Sequence, residues 1–203
     1  MSMKLGFATL LLLGSILFIC CTSALSHPHV FIVQRLQIVF DDQGIAGFRM
    51  IWGFDEFFSS MVADDYDKNK NRTLEPDEIA VIKEKAFAYI AEYDYFTFVK
   101  INDKSFKVKW IKDFTATLNN GKLSYQFFIP CHVRANKNFK EIIIATYDPT
   151  YYSAIFFAGE HPASIKNGDK FEIQSSIKED NSTSIYFGTV NPWALFLKFR
   201  LKL

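Results

Sequence analysis

Residues 30–52 read VFIVQRLQIVFDDQGIAGFRMIW, and this stretch decides the fold. In its first half the apolar residues fall at every second position, which is the period of a half-buried β-strand. The apolar face consists of Val30, Ile32, Leu36, Ile38 and Phe40. Arg35 and Gln37 take the opposite face. The turn residues DDQG at 41–44 then reverse the chain, and residues 45–52 are predicted to return as a second strand.

After Trp52 the apolar period lengthens, which predicts two helices. Spacings of three and four residues place one apolar set on a single helix face. That set is Phe54, Phe57, Phe58, Met61 and Val62. A second helix is predicted to begin at Pro76, because proline is favoured at the first helical position. Its inner face is Ile79, Ile82, Ala86, Ile90 and Tyr93.

The rest of the chain returns to strand patterns. Asn120-Gly121 is a strong hairpin signal. Strands are predicted at 95–101, 106–111, 114–118, 123–129, 141–147, 171–177 and 184–190. Residues 191–203, NPWALFLKFRLKL, favour a last strand or, alternatively, a tail that docks on a membrane surface or a partner. We therefore expect an α+β fold, an antiparallel β-rich, sandwich-like domain with a helix-loop-helix inserted at about 54–93.

The first 26 residues are predicted to be a signal peptide. Lys4 precedes an uncharged apolar run at 5–21, and Ala-Leu-Ser at 24–26 fits a cleavage site that leaves His27 first. Cleavage two residues earlier also fits. An uncleaved anchor is the alternative, although 17 apolar residues are at the lower edge of a membrane span.

Residues 27–203 are long enough for a single periplasmic domain with its own core. The chain has 23 basic and 22 acidic residues, and the predicted leader contains one basic residue and no acidic one. The remainder is therefore balanced, which argues against a nucleic-acid partner. Cys131 is the one cysteine outside the leader, so no internal disulfide is expected.

Residues 67–78, DKNKNRTLEPDE, match the ligand spacing of an EF-hand calcium loop. Such loops supply oxygens from positions 1, 3, 5, 7, 9 and 12. Those positions hold Asp67, Asn69, Asn71, Thr73, Glu75 and Glu78. Arg72 takes position 6, where the turn needs a positive φ and usually a glycine. We expect weak Ca²⁺ affinity, at about 10⁻⁴ to 10⁻³ M; the alternative is an acidic turn that no longer holds metal.

The four histidines suggest a transition-metal site. If His27 is the first residue, its α-amine and imidazole can chelate Zn, Ni, Co or Cu together. His29 follows two residues later, and His132 or His161 could supply a further nitrogen. Pro28 has no N–H, which excludes binding through deprotonated backbone amides. The alternative is that residues 27–29 are simply the solvated start of a strand.

Four segments in this order carry a resemblance: HPHVFI, WGFDEFFSSM, the Asp-Asn-Asn loop and YDPTYY. Together they are similar to a family of uncharacterised bacterial periplasmic proteins. Its members are often labelled as the periplasmic component of an ABC-type transport system and are commonly encoded beside nickel/cobalt-type permeases. The resemblance implies a periplasmic location and a link to metal transport. Family members usually carry Asp and Gly where this chain has Asn71 and Arg72.

These observations favour an exported metal-associated accessory protein that assists transition-metal transport or homeostasis. Its expected partners are metal ions and an inner-membrane metal permease. One alternative is a structural adaptor that docks on the permease without metal chemistry of its own. A second is a copper enzyme that uses the N-terminal histidine chelate. The sequence has no nucleophile elbow, phosphate loop or HExxH motif, so an enzyme is not expected.

Overall fold

The computed structural model describes residues 28–202. Within them, two β-sheets are joined by a helical insertion. The strands of the first half are β1 Val30–Phe40, β2 Gly44–Phe54, β3 Thr97–Ile101, β4 Lys104–Phe106, β5 Lys112–Asn119 and β6 Lys122–Arg134. Those of the second half are β7 Lys140–Thr146, β8 Ser153–Phe157, β9 Ala163–Lys166, β10 Phe171–Glu179 and β11 Trp193–Leu201. The α-helices are α1 Glu56–Tyr66 and α2 Pro76–Ile82.

The first sheet has the strand order β5-β6-β2-β1-β8, and β9 also pairs with β1. β1 and β2 form the hairpin predicted from residues 30–52. Asp41 closes its turn, because its Oδ1 accepts hydrogen bonds from the backbone N–H groups of Gln43 at 2.8 Å and Gly44 at 3.0 Å. β8 and β9 run parallel to β1, whereas the other pairs in this sheet are antiparallel.

The second sheet has the order β10-β11-β7-β3-β4 and is antiparallel throughout. Aromatic side chains join the two sheets. The ring of Phe40 on β1 lies 4.8 Å from that of Phe171 and 5.4 Å from that of Phe199 on the second sheet. All three rings are almost fully buried. The β-rich α+β class predicted from the sequence is therefore confirmed, and the two sheets share one core.

The helical insertion covers the part of the first sheet that the second sheet leaves open. Phe87 is its main contact, with ring centroids 5.0 Å from Phe127 and 4.6 Å from Phe114. Ser59 anchors α1 on β6: its buried hydroxyl accepts a hydrogen bond from the Leu123 N–H at 3.0 Å. The insertion is thus held against a rigid sheet.

The inner face predicted for α1 is wrong at two positions. Phe54 is buried but ends β2, and the helix begins only at Glu56, capped by Asp55. Phe57 and Met61 point outward, where they are 77% and 43% exposed. Val62 is buried and Phe58 packs on the core, as predicted, and Ser59 is buried as well.

The second helix is also less regular than predicted. It is α-helical to Ile82, π-helical over Lys83–Phe87 and 3₁₀-helical over Ala88–Phe96.

Two predicted strands are wrong and two real ones were missed. Residues 107–111 have no regular structure, and 184–190 form turns with one bridge between Ile185 and Val190. The short strands β8 and β9 were not predicted. Both pair with the same edge of β1, and such short parallel segments leave little periodicity to read.

Three buried polar side chains form a row across the inner face of the first sheet. Gln34 on β1 pairs in register with Trp52 on β2, and Trp52 pairs with Tyr125 on β6. Within residues 28–202, the amide of Gln34, the Trp52 Nε1 and the Tyr125 hydroxyl make no hydrogen bond to the protein. Burial, and then the neighbouring Tyr66 and Tyr89, raise the pKa of Tyr125.

Candidate functional site

The loop between α1 and α2 folds around the carboxylate of Asp67. This side chain is buried, with 5% of the residue exposed. Its Oδ1 accepts from the backbone N–H of Asn71 at 3.2 Å and its Oδ2 from that of Arg72 at 2.8 Å. The first residue of the loop therefore fixes the backbone four and five positions later.

Glu78 closes the other end of the same loop. It lies in the first turn of α2 and is 3% exposed. Its Oε1 accepts from the Lys68 N–H at 2.8 Å and its Oε2 from the Glu75 N–H at 3.0 Å. Through Lys68, which directly follows Asp67, Glu78 is thus tied to the start of the loop.

Asn71 connects the remaining predicted ligands. Its Nδ2 donates to Oε1 of Glu75 at 2.7 Å, and its Oδ1 accepts from the Thr73 N–H at 2.7 Å. The Asn69 Oδ1 accepts from the Asn71 N–H at 3.0 Å. The hydrogen bond from Asn71 is the main cause that lowers the pKa of Glu75. All six predicted loop positions therefore belong to one hydrogen-bonded network.

The backbone of the loop is strained at position 6. Arg72 has φ = 65° there, the left-handed conformation that this position requires and that costs a side chain about 1 kcal/mol relative to glycine. Lys70 also has a positive φ, of 57°. Leu74, at position 8, is buried in the core. The loop thus has the backbone course expected from its spacing, without the glycine.

The loop offers oxygen donors that suit a hard cation. Carboxylate and amide oxygens are the ligands Ca²⁺ prefers, and two of the carboxylates here are already buried. In the structure, several of these oxygens accept hydrogen bonds from backbone N–H groups. Over residues 28–202, no group of three or more His, Cys, Asp or Glu side chains is arranged to hold a metal ion.

The predicted transition-metal histidines are separated. His27 lies outside the described residues. His29 begins the first sheet, where its N–H donates to the Tyr152 carbonyl at 2.8 Å and its imidazole lies 5.0 Å from the Tyr152 ring. His132 lies at the far end, with its Nδ1 3.9 Å from Asp41 Oδ2. The 11 residues of β1 separate the two ends, a span of roughly 35 Å.

His161 does not join either position. It lies on the loop before β9, next to Pro162, whose carbonyl accepts from the N–H of Leu36 near the middle of β1. The structure therefore does not bring His29, His132 and His161 together. Cys131 and His132 point to opposite faces of β6: the thiol is buried, which raises its pKa to about 12, and the imidazole is exposed.

The turn 147–152, YDPTYY, lies beside the start of the first sheet. Asp148 is 3% exposed, and its carboxylate accepts from the Thr150 N–H and hydroxyl at 2.8 and 2.7 Å and from the Ser153 N–H at 3.0 Å. This places Tyr152 against His29. Asp148-Pro149 predicts a turn from the sequence, but nothing in the sequence indicates that Tyr152 contacts His29. Two motifs 120 residues apart are therefore neighbours.

The fold and this loop together define a β-rich α+β protein with a helix-loop-helix inserted between two strands. The chain belongs to the family described as a protein of unknown function (DUF1007), whose model matches residues 12–186. In the part of the chain that the structure describes, no helix is long and apolar enough to cross a membrane.

Two relatives are uncharacterised bacterial proteins. A 15.5 kDa protein from the trpE 3′ region of Spirochaeta aurantia is 26% identical over 133 residues, 66% of this chain and 94% of its own length. A protein of Haemophilus influenzae is 30% identical over 139 residues, 67% of this chain and 65% of its own length. The chain thus spans slightly less than two thirds of the second relative.

Proposed function

We propose that this protein is an exported, metal-associated accessory protein whose 67–78 loop is a weak, EF-hand-like calcium site. One observation carries the calcium assignment: Asp67 and Glu78, the first and twelfth loop residues, are both buried, and both accept hydrogen bonds from backbone N–H groups of the loop. Burying carboxylates costs free energy unless partners compensate for it. Ca²⁺ would add a cation as a partner beside these backbone N–H groups.

The weakness of the site follows from its composition. Asn69 and Asn71 contribute neutral amides, and Arg72 adds a positive charge within the loop. Fewer ligand charges and a positive charge close to the ion both reduce affinity. Calcium in this loop would therefore stabilise the helical insertion at extracellular concentrations rather than act as a cytosolic signal.

For the transition-metal function, the partner that we propose is a metal permease of the inner membrane. His29 is held by Tyr152, so the residue that precedes the rigid strand β1 has a fixed position. If processing makes His27 the first residue, its α-amine and imidazole are two residues from that fixed point. Its amine has a pKa low enough to bind metal near neutral pH, unlike lysine. His132 and His161 lie too far away to take part.

Calcium titration by calorimetry tests the loop assignment. Protein beginning at His27 should bind one Ca²⁺ in the range of about 10⁻⁴ to 10⁻³ M. Glu78→Gln should abolish the signal, because it removes the charge of the twelfth ligand. Asp77→Asn is the matched control: it removes a carboxylate from the same helix turn, outside the ligand positions, and should leave binding unchanged. Equal binding by wild type and Glu78→Gln would contradict the assignment.

Extending the chain by one residue before His27 tests the terminal chelate. The extension keeps every imidazole but converts the chelating amine to an amide. We expect the affinity for zinc, nickel and copper to fall, as measured by competition with a chromophoric chelator. Unchanged affinity for all three metals would exclude the terminal amine as a ligand.

A further inference from the structure

A cavity of about 370 Å³ lies on the outer face of the second sheet, on the side away from the core. Its floor is formed by Phe98 and Tyr147, whose rings stack with centroids 4.1 Å apart and planes inclined by 13°. Ile143 and Phe106 extend the apolar surface. The 67–78 loop contributes nothing to this cavity, so an inference drawn from it is independent of the proposed metal functions.

One wall of the cavity contains an unsatisfied carboxylate. Asp94 Oδ1 is buried and has no hydrogen-bond partner. The ammonium of Lys107 lies 4.0 Å away, beyond hydrogen-bond distance, and that side chain is 70% exposed. A buried carboxylate oxygen without a donor is unfavourable, although the Asp94 side chain as a whole is 25% exposed and so can be reached from the cavity.

The backbone that presents this carboxylate is strained. Asp94, Tyr95 and Phe96 have φ = 53° in succession, although none of them is glycine. Conformations of this kind are unfavourable and persist where the surrounding structure enforces them, often at binding sites. The strain turns the chain from the 3₁₀ helix into β3 and places Asp94 at the rim of the cavity.

The opposite wall holds a second pair of opposite charges, but this one is satisfied. Asp180 is 4% exposed and accepts from the hydroxyls of Ser182 at 2.6 Å and Thr183 at 2.7 Å. Burial alone would raise the pKa of Asp180, but these hydrogen bonds and the nearby Lys100 lower it overall. Lys100 in turn donates to Ser182 Oγ at 3.2 Å. The two aspartates and two lysines that line the cavity therefore balance in charge, and of its two carboxylates only that of Asp94 has a buried oxygen without a hydrogen bond.

We propose that this cavity binds a small zwitterion with an apolar side chain, of the size and chemistry of a free amino acid. The ligand's ammonium group would satisfy Asp94 Oδ1, and its carboxylate would pair with Lys107, which is exposed and able to turn toward it. The apolar side chain would lie on the Phe98–Tyr147 floor. The volume suffices for an amino acid, and few polar groups converging on an apolar surface are typical of small-molecule sites.

A second cavity on the same sheet can be compared with the cavity that contains Asp94. It is of similar size, about 350 Å³, and also contains a carboxylate, Glu141. There Oε1 of Glu141 is already paired with Lys198 Nζ at 2.5 Å. Because Glu141 is already paired with a lysine, we expect this cavity not to bind a ligand ammonium group in the same way.

Calorimetry with L-phenylalanine and L-leucine as probes tests the proposal on protein beginning at His27. At least one of them should bind saturably, and N-acetyl-phenylalanine and phenylalaninamide should bind about tenfold more weakly or not at all, since each lacks one charge. Asp94→Asn, which keeps the shape and tolerates the left-handed backbone, should lose about tenfold in affinity. Lys107→Met should weaken the probes that carry a carboxylate, and Glu141→Gln should change nothing.

Three results would overturn the proposal. They are no saturable binding of either amino acid, equal binding of the charge-deleted derivatives, and wild-type affinity in Asp94→Asn. Melting curves verify that each variant folds. If Asp94→Asn does not fold, Lys107→Met still tests the proposal, because the Lys107 side chain is exposed.

Discussion

Arg72 is the residue at which the loop departs most from an ideal calcium loop. Counting from Asp67 predicts a positive φ there, and the observed φ is 65°. The sequence was sufficient to predict this positive φ, because the spacing of the ligands requires the turn whatever residue occupies position 6. The contacts of Asn71 could not be predicted in the same way, since an amide can face Glu75 in either orientation.

Two replacements of Arg72 separate the effect of its strained backbone from the effect of its positive charge. Arg72→Gly should tighten calcium binding several-fold and raise the free energy of unfolding without calcium by about 0.5 kcal/mol, because it removes both the cation and the strained side chain. Arg72→Gln is the control that removes the charge alone, so it should give the affinity gain without the stability gain. Calorimetry and denaturant unfolding measure the two quantities. If neither variant changes calcium affinity, Arg72 does not weaken the site.

Among the elements, long strands were predictable and short ones were not. β1, β2 and β6 each have more than ten residues. Burial alternates along all of β1 and β6 and from Phe48 onward in β2, so periodicity located them. β8 and β9 have five and four residues and depend on the edge of β1 for their pairing. The face of the second helix was predicted well, since Ile79, Ile82, Ala86 and Ile90 lie in or against the core and only Tyr93 is exposed. The face of α1 was predicted less well, because the end of β2 decides where α1 begins. Periodicity cannot fix such boundaries to within two residues.

The row Gln34–Trp52–Tyr125 is a feature of three neighbouring strands that no single strand reveals. Gln34→Met should raise the free energy of unfolding by about 1 kcal/mol, because it removes an unsatisfied buried amide while keeping a side chain of similar length. Gln126→Met, on the outer face of β6, is the control and should change stability by less than about 0.5 kcal/mol. Urea unfolding measures both. A loss of stability in Gln34→Met would show that the amide is hydrogen-bonded in solution.

At the scale of the whole molecule, the fold explains why the predicted calcium ligands lie close together and the predicted histidine ligands do not. Residues 67–78 are contiguous, so spacing along the chain brings the six loop positions into one network. The histidines depend on topology: β1 and β6 place His29 and His132 at opposite ends of one sheet. Topology also brings His29 to Tyr152, 123 positions away, which no local pattern indicates.

The central claim is that calcium stabilises this protein through the 67–78 loop. The most direct test is the melting temperature of protein beginning at His27, in chelator and in about 10 mM calcium. With a dissociation constant of about 10⁻⁴ to 10⁻³ M, mass action adds about 1.4 to 2.7 kcal/mol to the native state. The melting temperature should then rise by roughly 3 to 10 °C in the wild type and remain unchanged in Glu78→Gln. A wild-type melting temperature that is the same in chelator and in calcium would contradict the account.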